Sequence, residues 1–356
     1  MFKYTFAAAA LASLASVGVV EAAPPKRGAP ALTLDSVNAS EFSPKRSKGA
    51  SPALLKAQVL LDRARFSPGT IDGSDGENLR KALAAFERER GLKADGRLDK
   101  ETWAKLVETS ADPVLVEYEI TRDDVKGPFV EAIPDKMDEM TDLDRLGYRS
   151  PLELLAEKFH MSEELLKALN PRKRFEEAGT RIVVASVLPD PKKDSSLARG
   201  RVKRIEVEKR ARALKAYDKD GKLVAFYPAS IGSTEKPAPS GSYKVQAVAE
   251  NPTYTYSPEF AFKGVKADKK LTIKPGPNNP VGSVWIDLSL PTYGIHGTAE
   301  PSKVGKSYSH GCVRLTNWDA MALALMVEKG TSVDFVDQPE VAATTSAVPR
   351  RGKKAN

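Results

Sequence analysis

The chain has a single cysteine, Cys312, and three histidines. Two of those histidines, His296 and His310, share the stretch 295–317, IHGTAEPSKVGKSYSHGCVRLTN, with the thiol. A thiol near an imidazole is the minimum equipment for nucleophilic acyl transfer: the imidazole takes the proton and the thiolate attacks a carbonyl. The need for a base is real, because a free thiol has a pKa of about 8.5 and only a few per cent is thiolate at neutral pH. Glycines at 297, 305 and 311 allow close backbone approach to a substrate. Gly311 immediately precedes the thiol, where a tight turn aims N–H groups at a developing oxyanion. Two other readings stand beside this one. A lone cysteine is commonly a small buried hydrophobe. Cysteine and histidine are also zinc ligands, but a zinc site needs a third protein ligand. The neighbourhood offers only Glu300 and Asp319, and the third histidine, His160, is remote in sequence.

At these residues the chain resembles a known family. IHGT followed by SHGCVRLTN, with PGPNNPVGSVWIDLS upstream at 275–289, is similar to the catalytic signature of the L,D-transpeptidases (YkuD family), over residues 203–337. The resemblance implies a cysteine nucleophile at Cys312 and a histidine proton donor and acceptor at His296, supported by His310. It assigns Ser309, Gly311 and Arg314 to the substrate pocket. The planar fork of Arg314 suits a substrate carboxylate, and an internal ion pair is the other use for it. The L,D reaction and its peptidoglycan substrate come from the resemblance; spacing and composition point only to a cysteine acyl-transfer site. Thiol, imidazole and backbone dipoles complete that chemistry, so no metal or organic cofactor is expected.

Residues 1–22 read as a signal peptide: Lys3, an apolar run Phe6–Val20 too short for a membrane span, and Val20-Glu21-Ala22, which fits the small-residue rule for cleavage after Ala22. Residues 23–50, rich in Pro, Ala, Ser and basic residues, read as a flexible linker. Residues 51–110 predict a three-helix bundle. Its stripes are Leu54, Leu55, Val59 and Leu60, then Leu79, Leu83 and Phe86, then Trp103 and Leu106, with Asp-Gly turns at 72–73 and 95–96. This segment resembles the peptidoglycan-binding domain 1 family.

Residues 114–188 predict strand, helix, helix, strand and resemble a LysM module, with an acidic insert at Arg122–Arg149 and a structural His160. Residues 189–202 read as a polar linker. From 203 to 337 the period changes to two, with strands at Arg204–Lys209, Ala211–Asp218, Leu223–Ser230, Tyr243–Ala249, Val284–Leu288 and Ser332–Val336. A helix is predicted over Asn317–Lys329, with Trp318, Met321 and Leu325 on one face. Residues 338–356 end in a basic, disordered tail. The expected fold class is multidomain α+β: a small three-helix bundle, a LysM-like βααβ module, and a mostly-β, sandwich- or barrel-like catalytic domain.

The net charge of +8 favours anionic surroundings. No basic run interleaves with aromatics and no phosphate-binding glycine loop occurs, which argues against nucleic acid. One cysteine also means no internal disulfide, so the thiol is left free in the oxidising compartment that a signal implies. The expected partners are peptidoglycan stem peptides and glycan, with a wall-attached lipoprotein as a further partner and no stable membrane span once the signal is removed. The expected place is the periplasm or the cell envelope. Three rivals stay open: an L,D-carboxypeptidase, an enzyme attaching or detaching a lipoprotein at the wall, and a non-catalytic wall-binding protein.

Overall fold

A computed structural model describes residues 32–44, 49–187, 190–233, 237–258, 269–307, 309 and 311–337. The signal expected at 1–22 and the tail expected at 338–356 lie outside these residues, as does His310. The stretch 23–50 is not wholly a flexible linker. Its residues 33–38 form a capped turn of helix, α1 (Leu34–Asn38), with reciprocal Thr33 and Ser36 capping bonds and Val37 fully buried. The Asn38 amide then accepts the N–H groups of Val114 and Leu115 and donates to the Leu115 carbonyl. An average over Pro, Ala and Ser hid this short capping signature.

The expected bundle follows: α2 (Pro52–Arg63), α3 (Glu77–Glu89) and α4 (Lys100–Val107). Ser51 caps α2 at the Leu54 N–H and Asp99 caps α4 at the Thr102 N–H. Leu55, Val59, Leu60, Leu79, Leu83, Phe86, Trp103 and Leu106 fill its interior. Next come β1 (Leu115–Glu119), α5 (Arg122–Lys126), α6 (Met137–Met140), α7 (Pro151–Lys158), α8 (Glu163–Leu169) and β2 (Arg181–Ala185). Strands β1 and β2 pair antiparallel, Leu115 opposite Ala185, around α7 and α8, which is the expected βααβ order. The acidic insert packs inward at its far end: Leu146 is fully buried, donates its N–H to the Pro275 carbonyl and accepts the N–H of Asn278.

The stretch 189–202 also differs from a free linker. Leu197 and Val202 are buried, and Asp194 pairs with Arg65 of the bundle at 2.9 Å. Two apolar side chains suffice to pin a short polar segment against a neighbouring core.

The C-terminal region contains β3 (Arg204–Glu208), β4 (Ala213–Tyr217), β5 (Leu223–Pro228), β6 (Ser230–Ile231), β7 (Gly241–Glu250), β8 (Tyr254–Tyr256), β9 (Leu271–Ile273), β10 (Val284–Leu288), β11 (Gly294–His296), β12 (Val313–Arg314), α9 (Asn317–Met326) and β13 (Ser332–Val336). A 9-stranded sheet runs in the order β5-β4-β3-β13-β7-β10-β11-β12-β6. Its two edge strands, β5 and β6, are separated in sequence by Ala229 alone. Opposite edges joined by one residue must lie side by side, so the sheet is rolled nearly closed, and the barrel-like expectation holds in this form. Helix α9 stops at Met326, short of the expected Lys329. Its most buried apolar positions are Trp318, Ala320, Leu323, Ala324 and Met326, whereas Met321 and Leu325 are half-buried. Strands β10 and β11, helix α7 and the segment Pro191–Lys193 all pack on the helix, which broadens its covered face.

The N-terminal modules are welded to this roll. The Ser67 N–H donates to the Phe226 carbonyl and the Phe226 N–H to the Arg65 carbonyl, which covers the exposed edge of β5. Phe226 and Ala213 belong to the same apolar cluster as the bundle and the βααβ module. His160 joins all three parts: its ring stacks on Trp318 of α9 at 4.9 Å and its Nδ1 meets Asp62 of α2 at 3.1 Å.

Candidate active site

Strands β11 and β12 lie side by side and parallel, with Ile295 opposite Val313 and His296 opposite Arg314. This register sets Cys312, one residue before Val313, level with Gly294 on the neighbouring strand. The fifteen positions between His296 and Cys312 are thereby folded away, and Cys312, His296, Arg314 and Ser309 line one cavity of about 1580 Å³.

His296 is 4% exposed, and its ring stacks on Trp285 of β10 at 5.6 Å. Its Nδ1 lies 2.6 Å from the Gly297 carbonyl. A carbonyl only accepts, so Nδ1 carries the proton and Nε2 keeps its lone pair: the imidazole is held in the tautomer of a base. Burial, then the positive charge of Arg314, push His296 down to about 3, and the Gly297 bond opposes them. The resting imidazole is therefore neutral across the physiological range.

Cys312 is half-buried, and its thiol donates to the Thr292 carbonyl at 3.7 Å. Thr292 has φ 70°, a left-handed conformation that costs a β-branched residue roughly 1–3 kcal/mol. The strained turn points that carbonyl at the sulfur. Gly311 has φ 108°, a conformation open to glycine and closed to most side chains, which is why a glycine precedes the thiol.

Ser309 lies on the cavity wall with its polar atoms engaged. Its hydroxyl donates to the Cys312 carbonyl and accepts the Gly232 N–H at 2.7 Å, while its own N–H donates to the Gly232 carbonyl at 3.0 Å. It braces the nucleophile's turn against β6. Arg314 is largely enclosed and burial lowers its pKa, with Glu300 and Cys312 opposing. Its Nε is buried and has no hydrogen-bond partner among the described residues. Glu300, the nearest candidate for an internal pair, is bonded to Lys303. Arg314 lines the cavity, where a guanidinium can meet a carboxylate. Asp319, weighed above as a zinc ligand, bonds the Ser67 hydroxyl at 2.9 Å at the junction with the bundle.

Four residues that shape the site had no role in the sequence reading. Trp285 and Thr292 supply the ring stack and the carbonyl just described. Asn317 fills the space behind the catalytic turn so tightly that a Cβ on Gly297 or on Gly282 would lie 2.1 Å from its Oδ1. Glu157 of α7 bonds the Asn317 amide and also lines the cavity. Nothing local in the sequence marks Asn317 or Glu157 for this role. The opposite wall of the cavity is built by the acidic insert, including Glu131, Asp135 and Met137, and by the start of α8.

Comparison with known proteins fits this geometry. Residues 202–335 match the family model of the YkuD L,D-transpeptidase catalytic domain, and residues 50–106 that of a putative peptidoglycan binding domain. The chain is 33% identical over 132 residues to the putative L,D-transpeptidase YkuD of Bacillus licheniformis, covering 37% of this chain and 64% of that protein. It is 30% identical over 206 residues to the probable L,D-transpeptidase YbiS of Escherichia coli K12, covering 56% of this chain and 64% of that protein. The chain thus spans a little under two thirds of these curated relatives. Among solved structures, L,D-transpeptidase 3 from Mycobacterium tuberculosis aligns over 37% of this chain and 58% of that one, at 19% identity and a TM-score of 0.31. Two separate stretches are thus similar to known domains: residues 50–106 to a putative peptidoglycan binding domain and residues 202–335 to an L,D-transpeptidase catalytic domain.

Proposed function

We propose that the protein is a peptidoglycan L,D-transpeptidase that works through a thioester on Cys312, in cell-wall biogenesis and remodelling. The observation that carries this reading is the convergence of Cys312, base-tautomer His296 and Arg314 on one cavity, within residues matched by the catalytic-domain family.

In this mechanism Nε2 of His296 takes the thiol proton as sulfur attacks the carbonyl of an L-centre in a donor stem peptide. The negative charge that develops on sulfur offsets the field of Arg314, so the imidazole becomes a stronger base as the proton moves. The N–H groups of the Gly311–Cys312 turn hold the oxyanion. The carbonyl–nitrogen bond breaks, the terminal D-residue leaves as an amine with the proton returned by His296, and the thioester remains. An acceptor amine, deprotonated by His296, then attacks the thioester and releases the thiol. Arg314 holds a donor carboxylate, and the bundle keeps the enzyme on the wall. A site outside the cytoplasm, in the periplasm or envelope, follows from the substrate.

Mass spectrometry of muropeptides after incubation of the purified protein with a tetrapeptide substrate tests the proposal. Crosslinked dimers support transpeptidation; trimmed tripeptides alone would identify a carboxypeptidase, and no product would leave a wall-binding protein. A lipoprotein covalently joined to stem peptide would move the acceptor to that class.

A further inference from the structure

We infer that Glu157, on helix α7 outside the catalytic domain, is a positioning residue that holds His296 in its base tautomer; its importance for catalysis rests on His296 being the base for Cys312. The link is the side chain of Asn317. Its Nδ2 donates to both Glu157 oxygens, at 3.0 and 3.1 Å, and to the Pro277 carbonyl at 3.1 Å. Its Oδ1 accepts the N–H groups of Thr298 at 3.0 Å and Ser283 at 3.1 Å. The Thr298 N–H and the Gly297 carbonyl belong to one peptide group, which is planar and rigid. Fixing the N–H therefore fixes the direction of the carbonyl, and that carbonyl takes the Nδ1 proton of His296.

Glu157 acts with the Pro277 carbonyl and the two N–H donors to hold the Asn317 amide the right way round. Reversed, its NH2 would face two N–H donors and its oxygen would face an acceptor. The carboxylate is itself held by the hydroxyl of Tyr148, which donates to Oε1 at 2.9 Å from the end of the acidic insert. Withdrawal from water raises Glu157 to about 7, with the Asn317 and Tyr148 bonds opposing, Glu153 adding to the rise and His160 countering it. Ionised or neutral, it keeps an oxygen to accept from Asn317. The accessory module thus supplies part of the catalytic apparatus, over a separation of 160 residues between Glu157 and Asn317.

The chain has only three histidines, so ring nitrogens of the full-length protein labelled with ¹⁵N-histidine are separable by NMR. His296 is assigned by the signal lost in His296→Gln. In the wild type its Nδ1 should be protonated and Nε2 bare. Glu157→Gln keeps an acceptor oxygen and should retain both that tautomer and the rate of acylation by a carbapenem to within about threefold. Glu157→Ala, or the volume-conserving Glu157→Met should alanine fail to fold, should show a mixed tautomer. Its acylation should slow on the order of 10–100-fold, the cost of a misplaced catalytic group. A folded Ala or Met variant with the wild-type tautomer overturns the inference, as does a Gln variant equally impaired. A tautomer shift in a protein that takes no acyl group would support the relay while removing the proposed function.

Discussion

Lowering the pH from 7 to 5 should barely change the rate at which Cys312 is acylated. His296 is pushed from 6.5 to about 3, first by burial and then by Arg314. The charged form is the disfavoured one, so the base stays available down to about pH 3. At pH 5 its neutral fraction is about 99%, whereas an ordinary imidazole would be only about 3% neutral. Acylation from a neutral thiol–imidazole pair should then differ less than about twofold between pH 5 and 7, against roughly 25-fold for a base of ordinary pKa. Attack by pre-formed thiolate alone would fall about 100-fold, since its population follows pH directly. The assay is single-turnover acylation by a carbapenem, read as intact mass after acid quench. Its strained amide offers the carbonyl a thiolate attacks. Trp285→Ala supplies the complementary arm: opening the stacked face to water should raise the imidazole pKa and restore a pH 5 deficit. A tenfold or greater loss in the wild type at pH 5 would refute the neutral resting base.

Three other perturbations test the frame around the site. Asp319 is raised from 3.8 to about 7 by burial and the nearby Asp62, so its folded-state contribution is present at low pH and lost as pH rises through 7. Urea unfolding should lose roughly 2–3 kcal/mol from this group between pH 5 and 8, and Asp319→Asn should flatten that slope; an unchanged slope would exclude it. Gly297→Ala places a Cβ 2.1 Å from the Asn317 Oδ1 and should cost on the order of 2–5 kcal/mol by displacing an acceptor of two buried N–H groups, measured by the same unfolding. Wild-type stability there would mean the amide has room to move. Arg314→Gln should slow carbapenem acylation and donor-peptide turnover, both of which bring a carboxylate, more than alkylation of the thiol by neutral iodoacetamide; equal losses would return Arg314 to a purely electrostatic role.

Much of this organisation was legible locally. Helices α2–α4 follow from apolar stripes bounded by Ser51 and Asp99, and β3–β5 from alternation around Asp220-Gly221. Cys312 and His296 stood out as a candidate pair because Cys312 is the only cysteine of the sequence and sits in a distinctive string. Strands β11 and β12 were not, since β11 has three residues and β12 two, and neither has a readable period. The stretches expected to be linkers were misjudged because Val37, Leu197 and Val202 act singly, and composition averages them away. The rear of the site was invisible for a further reason. Asn317 and Glu157 meet through tertiary folding alone, and hydrogen bonds between distant residues leave no spacing to read.

The central claim is a thioester on Cys312 that passes to an amine. The most direct measurement is intact-mass analysis of the quenched protein after mixing with a stem tetrapeptide, with and without an acceptor stem, in wild type and Cys312→Ala. The account predicts one adduct of the donor less its terminal D-residue on the wild type, depleted when acceptor is added as crosslinked product appears, and none on Cys312→Ala. An adduct that survives the Cys312→Ala substitution, or crosslinked product formed by that variant, would contradict it.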